Sequence, residues 1–288
     1  MLANRLEFSS NGVRLIADAY GNAADAAVLL LHGGGQTRHA WRRTARALAR
    51  NGFYAVTLDL RGHGESDWAP DGVYRHADGV DDVRRIAATF AMPPIVVGAS
   101  LGGLLALSLE GATAPGSTAG VVLVDVAHDA APQGITRIVD FMESGAAGFA
   151  SLEEAADAVA GYLAHRERPK SLDGLRKNLR LRDDGRWYWH WDPRMLETGD
   201  LGELREGGHF ERAARNVRVP VLLVRGGDSD VVDERIAREL LALIPQARYV
   251  DVAGARHMVA GDENDAFSEA VIGFCNTVRP GVVPKSAR

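Results

Sequence analysis

Apolar residues along the chain group into two kinds of run. Near the start, residues 5–9 and 13–20 flank Ser10-Asn11-Gly12, and Asn-Gly between two strand-like segments predicts a β-hairpin. Residues 26–31 are instead apolar at every position. A strand covered on both faces needs continuous apolar residues, so this run predicts an interior parallel strand. Similar runs recur at 53–58, 94–98, 120–126, 219–224 and 248–252. Amphipathic segments lie between several of them. Trp41, Thr44, Ala45 and Leu48 share one helical face, with Gly52 where a C-terminal cap belongs, and Val80, Val83, Ile86 and Phe90 repeat at three and four. Strands alternating with helices predict an α/β fold: a mostly parallel central sheet with helices on both faces.

The alternation breaks between about 127 and 217, which reads as several helices with no strand. Leu172, Leu175 and Leu179 form an apolar stripe there, Ser171 is a fitting N-cap, and Arg176, Lys177 and Arg180 fall on the other, solvated face. The expected organisation is a core of residues 1–126 and 218–279, a helical cap inserted at 127–217, and a loose tail at 280–288.

Composition bounds the function. A chain of 288 residues, 46% apolar and 25% charged, buries about three quarters of its unfolded surface and needs no disulfide to hold a core. Cys275 is the one cysteine and lies in an apolar run, which predicts a buried, inert thiol. The net charge of −5 offers nothing to a phosphate backbone, so no nucleic-acid partner is expected. The first residues are too polar for a signal peptide, and no stretch approaches the roughly 20 apolar residues of a membrane span. A soluble cytoplasmic protein with a small-molecule substrate and no membrane partner is the expectation; no apolar stripe assigns an oligomeric state.

Three motifs carry chemistry. Gly98-Ala99-Ser100-Leu101-Gly102 matches G-x-S-x-G, entered by a buried strand and left by an apolar helix. The tight turn would project the Ser100 hydroxyl above the sheet, and glycines flank it because side chains would collide with strand and helix. The helix N-terminus adds positive dipole density beneath a developing oxyanion. Leu31-His32-Gly33-Gly34-Gly35 follows another buried strand. An oxyanion hole needs two N–H groups, here assigned to Leu101 and Gly34, with His32 structural. Asp59-Leu60-Arg61-Gly62-His63-Gly64-Glu65-Ser66 reads as a rigid scaffold loop. No H-E-x-x-H spacing predicts a metal, and no phosphate-binding glycine pattern follows the first buried strand, so no cofactor is expected.

Together HGGG, DLRGHGES and GASLGG resemble the α/β-hydrolase superfamily over about residues 5–278. The resemblance implies a catalytic triad in the chain order nucleophile, acid, histidine. His257, just after the last strand, then becomes the base. In relatives the acid sits in the loop after the strand at 219–224, which points to Asp230; Asp125, at the end of an earlier strand, is the competing position. Epoxide hydrolases and haloalkane dehalogenases of this fold use an aspartate where Ser100 stands and tend to carry proline in the HG loop, so neither chemistry is expected. The helical insert occupies the place of the superfamily's cap. Its Trp187, Trp189 and Trp191, with Phe141 and Met142, are candidates to line an apolar substrate pocket. The implied activity is hydrolysis of a carboxylic ester or lactone through an acyl-enzyme. Carbon–carbon hydrolysis and cofactor-free perhydrolysis of the haloperoxidase type share the same apparatus, and a non-catalytic ligand receptor of the same fold stands as a further alternative.

Overall fold

The computed structural model describes residues 3–162, 172–255 and 265–279. A single eight-stranded sheet organises them: β1 (Asn4–Ser10), β2 (Val13–Tyr20), β3 (Ala26–Leu31), β4 (Phe53–Leu58), β5 (Ile95–Ala99) and β6 (Gly120–Val124) come first. A separate hairpin of β7 (Leu179–Leu181) and β8 (Trp187–Trp189) intervenes before β9 (Val221–Gly226) and β10 (Arg248–Val252) complete the sheet. The spatial order is β1-β2-β4-β3-β5-β6-β9-β10. β2 is antiparallel to β1 and β4; all other pairings in the large sheet are parallel. The β1–β2 turn holds Asn11 and Gly12 at φ 46° and 78°, as a two-residue hairpin with primed geometry requires.

Among the described residues the helices of the first half are α1 (Arg42–Arg50), α2 (His76–Ala87) and α3 (Leu101–Ser108), the last running into a π-helical turn at Leu109–Thr113. Between β6 and β9 come α4 (Pro132–Ser144), α5 (Leu152–Tyr162), α6 (Asp173–Arg176), α7 (Arg194–Thr198), α8 (Leu201–Glu206) and α9 (His209–Asn216). The helices α10 (Glu234–Leu243) and α11 (Asp265–Val278) follow β9 and β10 respectively.

The continuous apolar strands are explained by two cores. Val28, Leu30, Ile95, Val97, Val122 and Val124 cluster with Trp41 and Leu48 beside α1 and with Phe267 and Val271 of α11. The alternate positions Leu29, Leu31, Val96, Val121 and Leu123 cluster with residues of α2, α3, α9 and α10. Each fully buried aliphatic side chain contributes roughly 1.5–3 kcal/mol relative to exposure, so alternate residues of one strand hold both layers. Cys275 lies in the first of these layers, where burial pushes its thiol up to about 12. No helix among the described residues is long and apolar enough to cross a membrane.

The segment between β6 and β9 departs from expectation in three respects. It contains strands: Leu179↔Trp189 and Leu181↔Trp187 pair antiparallel, and Phe149 bridges Trp187. The stripe of Leu172, Leu175 and Leu179 does not make one helix, because α6 ends at Arg176 and Leu179 belongs to β7; Ser171, its expected cap, lies outside the described residues. Finally, α9 precedes the expected boundary at 217, yet its Phe210, Ala213 and Ala214 pack in the main core. What remains has its own small core of Met142, Phe149, Ala155, Leu179, Trp189 and Trp191. The tail at 280–288 also lies outside the described residues.

Candidate active site

Ser100 stands between β5 and α3 with φ 46° and ψ −116°, a conformation rare for any residue but glycine. The neighbouring glycines make that turn possible. A Cβ at Gly98 would lie 2.3 Å from the Gly102 carbonyl oxygen, and one at Gly102 would lie 2.5 Å from that of Leu31. The Ser100 N–H donates to Val124 O at 3.3 Å, and its carbonyl accepts from Gly103 and Leu104 N–H at 2.9 and 3.0 Å. The side chain is thereby held on the cavity wall by its own backbone.

The loop after β3 lies against this elbow. Gly102 N–H donates to His32 O at 3.2 Å, and a Cβ at Gly33 would come 3.3 Å from that of Ser100. His32 is fully buried; Nε2 accepts the Leu60 N–H at 3.0 Å, which leaves Nδ1 to donate to Gly33 O at 2.8 Å. Burial pushes its pKa down to about 4, with Arg38 adding to the effect. His63 repeats the arrangement: Nε2 accepts from Gly35 N–H at 3.1 Å, Nδ1 donates to Arg61 O at 3.0 Å, and burial pushes it down to about 3. Two neutral imidazoles thus pin both sides of the glycine loop. Among the described residues neither the Gly34 nor the Leu101 N–H has an acceptor, and both residues line the cavity.

The loop after β4 is scaffold. Asp59 is fully buried and accepts from the N–H groups of Arg38 and Glu65 at 2.7 and 3.0 Å and from the Arg38 guanidinium. Gly64 is needed there, since a Cβ would fall 2.1 Å from the Asp59 carboxylate.

The two candidate acids have different surroundings. Asp125, just past β6, is fully buried with φ 48°. Its Oδ1 accepts from Gly226 N–H at 2.9 Å and its Oδ2 from the Ser229 hydroxyl at 2.6 Å. Ser229 Oγ in turn accepts from Val231 and Val232 N–H at 3.1 Å, which ties the loop after β9 to Asp125. Asp230 is about one-third exposed, and its Oδ2 pairs with the Arg137 guanidinium of α4 at 2.6 Å. His257 lies outside the described residues. The chain leading to it reaches Ala255, whose carbonyl accepts the Asp228 N–H at 2.9 Å in the same loop cluster.

Ser100 opens on a cavity of about 650 Å³. Phe141, Met142, Trp189 and Trp191 line it, whereas Trp187 does not and lies under the Arg176 guanidinium at 5.6 Å. Met142 packs over the glycine loop, its Sδ 3.9 Å from where a Gly34 Cβ would be. Phe141 is stacked on Tyr162 at 4.3 Å and leans on Trp189 at 5.6 Å. The sequence placed His63 in a scaffold loop without naming its partner, and gave no signal for Tyr162. A histidine between two glycines signals a tightly held loop, but nothing in sequence says that its partner is Gly35.

Residues 26–263 match a family model described as alpha/beta hydrolase fold. An esterase of Mycobacterium tuberculosis is 32% identical over 263 residues, covering 87% of this chain and 83% of that protein. A solved structure of that esterase superposes with a TM-score of 0.75 at 28% identity, covering 96% of this chain and 93% of the other. A 2-(acetamidomethylene)succinate hydrolase of Mesorhizobium japonicum is 29% identical, covering 77% of this chain and 78% of its own.

Proposed function

The chain belongs to the α/β-hydrolase family and is an enzyme of it, and from that premise we propose that it cleaves a carboxylic ester or lactone of a small, largely apolar substrate through an acyl-enzyme on Ser100. The observation that carries this reading is Ser100 itself. It occupies a strained turn whose neighbouring N–H groups, on Leu101 and Gly34, lack acceptors among the described residues and border the same cavity.

In the proposed reaction the substrate carbonyl lies between Ser100 Oγ and those two N–H groups. His257 takes the Oγ proton as Oγ bonds to the carbonyl carbon, and the oxygen that gains charge accepts from Gly34 and Leu101. Each such donor supplies roughly 3–4 kcal/mol in the transition state. Collapse breaks the carbon–oxygen bond to the alcohol, which leaves with the proton from His257. Water then attacks the acyl-enzyme with His257 again as base, releasing the acid and restoring Ser100.

For the acid the geometry supports Asp125 over Asp230. A triad carboxylate orients and stabilises an imidazolium best when buried and fixed by hydrogen bonds, and Asp125 has both properties. Asp230 is the second reading, favoured by its place in the loop after β9 but engaged by Arg137. Similarity to an esterase supports ester hydrolysis as the reaction.

Hydrolysis of p-nitrophenyl acetate, butyrate and octanoate by wild type and Ser100→Ala tests the proposal. Turnover in the wild type that falls about a thousandfold or more in the variant is expected. Equal rates in both, on every ester, would overturn it.

A further inference from the structure

α8 contributes Leu201, Gly202 and Arg205 to the wall of the cavity that holds Ser100, beside Asp129 from the loop after β6. Arg205 is half-buried. Its Nε has no hydrogen-bond partner, and among the described residues its guanidinium has no ion pair. Its company is the Phe210 ring, 5.9 Å away, and Asp129, too far to form a salt bridge. Burial accordingly holds the Arg205 pKa below the ordinary arginine value, against the opposing pull of Asp129.

The other cations of the lining are satisfied or solvated. Arg61 is clamped by both oxygens of Asp82 at 2.6 and 2.7 Å. Arg42, Arg75 and Lys177 are exposed. Burial keeps His39, His63 and His76 below the ordinary histidine value. A half-buried guanidinium with no ion pair among the described residues is costly, and it presents a planar fork of donors matched to a carboxylate.

We propose that Arg205 binds a carboxylate of the substrate, so that the bond cleaved at Ser100 belongs to a molecule with an apolar body and an anionic end. This rests on the ester-hydrolase reading above. Phe141, Met142 and Trp189 take the apolar body, and Arg205 takes the charge. Arg205 offers a single positive charge and Asp129 sets a negative one near it, which disfavours a doubly charged phosphate more than a singly charged carboxylate.

The test compares mono-p-nitrophenyl esters of glutaric, adipic and suberic acid with the same esters capped as methyl esters at the far end. In the wild type kcat/KM for at least one free acid exceeds that of its capped partner about tenfold or more, the worth of one charge-assisted hydrogen-bonded pair. Arg205→Met brings that ratio to unity, and Arg205→Lys restores part of it. A wild-type preference for the capped ester at every length would overturn the proposal, as would an unchanged ratio in Arg205→Met. If Arg205→Met does not fold, the wild-type ratio decides. If the wild type cleaves no ester, the ester reading fails on its own. Calorimetry of Ser100→Ala with hexanoate and hexanamide then still decides the role of Arg205: tighter binding of hexanoate supports it, and equal binding overturns it.

Discussion

Ser100 and Asp125 hold φ 46° and 48° at the ends of adjacent strands, and Asn11, in its hairpin turn, is the other non-glycine residue with positive φ among those described. Asparagine and aspartate visit positive φ at little cost, whereas Ser100, at φ 46° and ψ −116°, does so only under constraint, and such strain gathers at functional sites. The pair is held by its surroundings: Ser100 N–H bonds to Val124 O at 3.3 Å, and Asp125 N–H to Val224 O at 2.8 Å. Asp125→Asn should therefore lower kcat on a p-nitrophenyl ester by about ten-thousandfold, as loss of an orienting carboxylate does. Asp230→Asn should lower it far less. The two rates, measured on variants with matched circular dichroism, check this, and the reverse order would make Asp230 the acid. The turn at Ser100 was legible in sequence because glycines on both sides leave little else for it to be. The choice between Asp125 and Asp230 was not legible, because burial and hydrogen bonding distinguish them, and neither has a local pattern.

At the scale of elements, α4 joins the cavity wall to the loop after β9. Ala131 N–H donates to Val231 O at 2.9 Å, and a Cβ at Gly134 would lie 2.4 Å from Asp230 O. Backbone meets backbone there, and Arg137 adds its ion pair one turn further on. That pair is 40% and 31% exposed, so Arg137→Gln should cost at most about 1 kcal/mol in chemical denaturation. Gly134→Val has no room to relax without moving α4. It should raise KM for the ester severalfold and lower the melting temperature more than Arg137→Gln does; the opposite ranking would show that α4 is held by charge rather than by close contact. The parallel strands could be read from their unbroken apolar runs because both faces are covered. The β7–β8 hairpin could not: three residues are too few to show a period of two, and Leu172, Leu175 and Leu179 imitate a helical stripe that ends at Arg176.

For the molecule as a whole, the buried histidines set a pH dependence. His32, His63 and His76 have folded values of about 4, 3 and 4 against 6.5 for the free side chain, in each case chiefly through burial. Below pH 6.5 the unfolded chain binds protons that the folded chain refuses. Their contribution is complete above that value and is lost as pH falls toward 4, at up to roughly 1.4 kcal/mol per unit for each imidazole. The melting temperature should fall steadily from pH 7 to pH 5; a flat or rising profile would contradict the neutral-clamp description of the loops. The fold class and the turn that carries Ser100 could be read from the sequence because strands alternating with helices and a glycine-flanked elbow are local patterns. The cavity's charge arrangement could not, since Arg205 and Arg61 differ only in what lies opposite them.

In the proposed reaction Ser100 is the nucleophile of an ester hydrolase. Incubation with an alkyl fluorophosphonate, followed by peptide mapping in a mass spectrometer, tests it most directly. One adduct per chain, on the peptide containing Ser100 and absent from Ser100→Ala, is the predicted result. An unlabelled protein, or an adduct on any other residue, would contradict the account.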